Sequence, residues 1–166
     1  MAEPFDAQAF TSQLRAALAD AMPTAEFSEE LDEDMSALTF VHPVHEATVL
    51  LVIEPALDPV PATLMAAIVI GDWVEAQQTA GGAALLALNP RLMTCSVGLL
   101  PINNDELAVV LCRRVPASSV QPGDVVGLVD DMIWEYAQVA GWVEQDGTDA
   151  TPPVRQSRLI GSLDEL

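Results

Sequence analysis

Apolar and polar positions follow two different periods along this chain. From Val125 to Val143 the residues Val125, Val129, Met132, Tyr136, Val139 and Val143 recur every three or four positions. That spacing puts them on one face of a helix. Val126, Ile133 and Ala140 widen the stripe, while Asp130, Asp131, Glu135, Gln138 and Glu144 fall mostly on the other side. Ser118 and Ser119 offer N-cap hydroxyls, and Pro122 suits a first turn. Just upstream, Leu92–Leu100 and Glu106–Cys112 are apolar runs of strand length, separated by the turn formers Pro101-Ile-Asn-Asn-Asp105. The pattern predicts a hairpin followed by one long helix. A helix this apolar on one face must lie across the sheet that the hairpin begins.

Earlier in the chain, Phe10, Leu14 and Leu18, with Ala7, Ala17 and Ala21, mark a short amphipathic helix from Phe5 to Met22 that Pro23 helps end. Glu26 to Asp34 is dense in carboxylates and reads as a solvated loop. Met35–Val41 and Ala47–Glu54 have strand character, joined by the turn residues His42-Pro43-Val44-His45-Glu46. Pro55 to Pro61 holds three prolines and reads as a loop. Leu64–Ile70 is short and continuous, so strand and buried helix both remain open; Gly71-Asp72 favours strand. Val74–Leu88 reads as a helix with Ala84, Leu85 and Leu88 inward, loosened by Gly81-Gly82 and closed by Asn89-Pro90. Residues 1–145 then form one domain, and 146–166 form a flexible tail. Arg155 and Arg158 in that tail either dock on the acidic body or stay idle. The order is α-β-β-β-α-β-β-α, without strand–helix alternation, which predicts an α+β fold with an antiparallel sheet.

Composition narrows the function classes. The 166 residues suit a single domain, and 51% of them are hydrophobic, enough for a core. No apolar run approaches the ~20 residues of a membrane span. Met1-Ala-Glu-Pro lacks the basic and apolar parts of a signal peptide, which predicts a cytoplasmic chain. Asp and Glu total 25 against 6 arginines and no lysine, a formal net charge of −19. Nucleic acid and anionic membranes are therefore disfavoured as partners. Two readings of the acidity carry equal weight: solubility alone, or a basic, aggregation-prone partner.

Candidate chemistry is sparse. His42, His45 and Glu46 lie close in sequence but make a poor metal set, and polar turn residues explain them better. Cys112 precedes Arg113-Arg114, yet neighbours along a strand face away from it. Ala80-Gly-Gly-Ala83 lacks the spacing of a phosphate loop. Asp130-Asp131 suit a solvated helix face, and Trp73, Trp134 and Trp142 suit core or rim. No catalytic residue, metal or cofactor is expected, and the chain is read as a non-enzyme.

The order of elements and the last third resemble a known family. Leu85-Leu-Ala-Leu-Asn-Pro90, a strand carrying Gly98, a returning strand ending Arg114-Val115-Pro116, and a helix ending Tyr136-Ala-Gln-Val-Ala-Gly-Trp142 are similar to class I type III secretion chaperones, the Tir-chaperone-like fold. The architectural likeness spans Phe5 to about Gln145, and the residue likeness spans Leu85–Trp142. Pro101–Asp105 departs from the acidic-Gly turn of that family. The resemblance implies a homodimer that binds the N-terminal segment of a secreted effector and keeps it secretion-competent. It implies client-binding residues Phe10, Leu14, Leu18, Leu38 and Phe40, although ordinary core packing explains each singly as well. It implies a dimer interface with Leu85, Leu88, Val97 and Leu99. YbjN-type proteins share the fold, so a regulatory or scaffold role without a secreted client is the alternative.

The two cysteines test the hairpin register. A two-residue turn at Asn103-Asn104 pairs Ile102 with Asp105 and sets Cys95 opposite Cys112 on one sheet face, with Cα atoms ~4.5–5.5 Å apart. A turn at Asn104-Asp105 instead sets Cys112 opposite Val97. Reduced, buried thiols are expected in either case.

Overall fold

The computed structural model describes residues 5–31, 35–57, 60–73, 87, 89, 92–101 and 106–144. Helix α1 spans Ala7–Ala21. Six strands follow: β1 (Phe27–Leu31), β2 (Ser36–Val41), β3 (Thr48–Glu54), β4 (Thr63–Asp72), β5 (Ser96–Pro101) and β6 (Leu107–Pro116). A 3-10 turn at Ala117–Ser119 leads to helix α2 (Pro122–Glu144). The fold is α+β. Its strands form one antiparallel sheet in the order β1-β2-β3-β4-β6-β5.

The described elements run helix, six strands, helix, which differs from the expected order. The acidic stretch Glu26–Asp34 is not all loop, because β1 lies within it. The Phe27 ring packs tilted against Phe40 of β2, centroids 5.2 Å apart, and Glu29 meets Arg15 of α1 at 3.4 Å. An edge strand tolerates such charge, because one side of it faces water. Leu64–Ile70 belongs to a strand, β4. The helix expected over Val74–Leu88 lies outside the described residues except for Ala87, as does the tail after Gln145.

Helix α1 starts at Asp6, whose carboxylate accepts from Ala9 N–H at 2.9 Å. It buries Phe10, Thr11, Leu14 and Leu18, the face that its periodicity marks. Helix α2 is capped differently from expectation. Asp124 Oδ2 accepts from Gln121 N–H at 3.1 Å, and Asp124 N–H donates to Gln121 O at 2.9 Å. Ser118 and Ser119 instead form the 3-10 turn, where Ser119 Oγ donates to Pro116 O at 2.7 Å.

Both helices cover one face of the sheet. Leu38, Phe40, Val49, Leu51, Ile53, Leu64, Ala66, Ile68, Val97, Val109 and Leu111 from the strands share one core with α1 and α2. The alternate residues Ala37, Val52, Met65, Ala67, Ala108 and Val110 form two smaller clusters on the second face, to which neither helix contributes. No helix of the described residues is long and apolar enough to cross a membrane.

The hairpin register differs from both sequence-based alternatives. Ser96 pairs with Cys112, and Val97 with Leu111. Five residues separate the last pair, Pro101 and Leu107. An odd loop reverses the parity of the strands, so Cys95 and Cys112 lie on opposite faces of the sheet. Cys95 is buried in the main core as expected, whereas Cys112 is only partly buried, beside Ser96 Oγ at 3.4 Å on the second face, because no helix of the described residues covers it there.

Candidate functional site

The residues assigned to client binding sit together, but inside. Phe10, Leu14, Leu18, Leu38 and Phe40 belong to one cluster, and none is more than 8% exposed. Two lie on β2 at alternate positions and three on α1 at every fourth, so the sheet face and the helix stripe close on each other. Here they hold α1 onto the sheet and present no side chain to a partner. Of the interface candidates, Val97 is 3% exposed and part of the same core, whereas Leu99 is 40% exposed. Leu85 and Leu88 lie outside the described residues.

Exposed apolar side chains lie elsewhere, Val44 at the turn between β2 and β3 among them at 76%. Leu31 is 53% exposed, Met35 44%, Leu57 70% and Val60 55%. Leu31 ends β1, and Met35 precedes β2. Leu57 and Val60 lie between β3 and β4 and are joined by paired backbone hydrogen bonds. All four stand at the same end of neighbouring strands, because Ser36 pairs with Leu31 and with Ile53, and Glu54 pairs with Thr63. Strand identity was legible in the sequence, but this shared end needed the pairing of the strands.

Two side chains hold β5. Glu135 of α2 is 3% exposed, and its Oε1 accepts from Thr94 N–H at 3.0 Å and Thr94 Oγ1 at 2.6 Å. Among the described residues its Oε2 is buried without a partner. Sequence reading put Glu135 on the polar side; the helix turns it inward, between Met132 and Val139. Asn89 forms the second tie. Its Oδ1 accepts from Val97 N–H, and its Nδ2 donates to Val97 O at 3.1 Å. The only sign of either tie in sequence was a buried-phase position for Glu135.

Burial pushes the Cys95 thiol up to about 12, with the Thr94 hydrogen bond opposing and Glu135 adding to the rise. In the unfolded chain the thiol deprotonates near its ordinary value of 9, so this group's support for folding falls as pH rises from there towards 12. Iodoacetamide at mildly alkaline pH is expected to spare Cys95 in the folded protein and to modify it in denaturant. Equal labelling of Cys95 in both states, by peptide mapping, would contradict its burial.

His42 and His45 lie in the turn between β2 and β3, with rings 5.6 Å apart. Among the described residues no three His, Cys, Asp or Glu side chains gather to hold a metal ion. Burial lowers the pKa of His42, His45 lowers it further, and Asp130 opposes them. A histidine kept neutral in the fold loses stability for the protein as pH falls below its ordinary 6.5 towards the lowered value. Thermal unfolding of the native chain should therefore weaken more between pH 7 and 5.5 than that of His42→Gln. Identical pH slopes would refute the assignment.

Trp134 is 40% exposed and Trp73 is partly buried against the core, as rim residues are. No protein-family model matches the chain, and no curated protein matches it.

Proposed function

We propose that this chain is a binding protein of the secretion-chaperone kind. It forms a homodimer in the cytoplasm, holds the extended N-terminal segment of a secreted effector, and keeps that segment unfolded. The observation that carries this reading is the exposed apolar end of the sheet, Leu31, Met35, Leu57 and Val60, in a chain of net charge −19. Several exposed apolar side chains at one end of a sheet offer contacts to a partner. A strongly like-charged body keeps the loaded complex soluble. An extended client meets such a surface with alternate apolar side chains. The buried Phe10, Leu14, Leu18, Leu38 and Phe40 serve binding through the fold that they stabilise.

Co-expression with secreted proteins encoded beside the gene tests this. A client should co-purify with the native chain, and the double variant Leu57→Asp, Val60→Asp should recover about tenfold less of it. Circular dichroism should show that variant folded. A folded variant that recovers as much client as the native chain contradicts the proposed surface. A native chain that recovers no secreted protein favours the regulatory or scaffold role.

A further inference from the structure

The two edges of the sheet are guarded differently. The β1 edge carries Glu29 and Glu30, with Glu26 just ahead. The β5 edge has no charged residue from Leu92 to Pro101. An uncharged apolar edge offers its outward N–H and C=O groups to any other strand.

At that edge stands Asn89. One amide side chain satisfies both the N–H and the C=O of Val97. This is the donor–acceptor pair that a neighbouring strand would supply. Backbone direction alternates along a strand, so Leu99 and Pro101 also point their main-chain groups outward. Leu99 has both groups, whereas Pro101 has only its C=O.

We infer that Asn89 is a strand surrogate that holds the β5 edge shut against β5 of a second copy of this chain. A second copy of β5 fits that edge in register and without charge repulsion. A two-fold antiparallel pairing centred on Leu99 sets an uncharged run against itself. The same pairing through β1 would set carboxylates against carboxylates. With Asn89 in place only the reciprocal Leu99 bonds can form. With it gone, each Val97 N–H also reaches the C=O of the opposing Pro101. The inference is independent of the chaperone reading, and its reference state is the native chain's own mass.

Sedimentation equilibrium on the full chain tests it. Two released bonds are together worth about tenfold in the self-association constant. Asn89→Ala should therefore associate about tenfold more tightly than the native chain. Adding Leu99→Lys should abolish the gain by placing like charges at the centre of the pairing. Asn89→Asp should behave as the native chain does, because its carboxylate still occupies Val97 N–H and the freed Val97 C=O would meet a proline without N–H. A folded Asn89→Ala that associates no more tightly, or an Asn89→Asp that associates as Asn89→Ala does, overturns the inference. Hydrogen exchange on the native chain decides it without any variant. Val97 N–H should exchange far more slowly than Leu99 N–H, and equal rates would show that no latch exists.

Discussion

Leu14→Ala is expected to cost the fold about 3–5 kcal/mol, because it opens a cavity at a fully buried leucine. Leu14 is 1% exposed and lies in the cluster that joins α1 to Leu38 and Phe40 of β2. Urea unfolding should show the midpoint falling with little change in slope. Leu14→Asp should go further and leave little folded protein, since an unpaired carboxylate would replace a buried side chain. The consequence for function is direct. A client-binding defect in either variant would report a lost fold, not a lost contact. If Leu14→Ala unfolds within about 1 kcal/mol of the native chain, α1 is not docked as described.

The second large effect concerns Glu135. Glu135→Ala removes the acceptor of both Thr94 N–H and Thr94 Oγ1. Leaving those part-buried donors without a partner should cost about 1–2 kcal/mol. Glu135→Gln should behave differently. The amide oxygen keeps both Thr94 bonds, and a neutral amide replaces a carboxylate whose Oε2 is buried without a partner among the described residues. A buried neutral group costs less than a buried charged one. Glu135→Gln should therefore match the native chain or exceed it in stability at neutral pH. The order Gln at or above Glu, and Glu above Ala, checks the geometry. A Gln variant as unstable as the Ala variant would mean that the carboxylate charge has a partner in solution.

The periodic elements were legible in the sequence. The stripes Phe10, Leu14, Leu18 and Val125, Val129, Met132 predicted α1 and α2, and the β-branched run ending at Glu54 predicted β3. What escaped has physical reasons. Edge strand β1 was hidden because Phe27 and Leu31 stand among carboxylates, and only pairing with β2 shows that Phe27 faces the core. The hairpin register escaped because one residue of loop length reverses every facing, and Pro101-Ile-Asn-Asn-Asp105 admits more than one turn. Glu135 has the residue type of the polar face but the helical phase of the buried one, between Met132 and Val139, and the Thr94 bonds are what let a carboxylate sit there. The Asn89 tie joins a side chain to a backbone eight residues away, and no local pattern encodes that contact. The surface end formed by Leu31, Met35, Leu57 and Val60 depends on strand order, which single segments do not carry.

Light scattering on the chain co-expressed with a secreted protein from its gene neighbourhood tests the central claim most directly. The account predicts one complex containing two 17.7 kDa chains and one client, with the client's N-terminal segment bound and its remainder free to fold. A chain that elutes without any such client, at the mass of a single copy, would contradict both the dimer and the chaperone function.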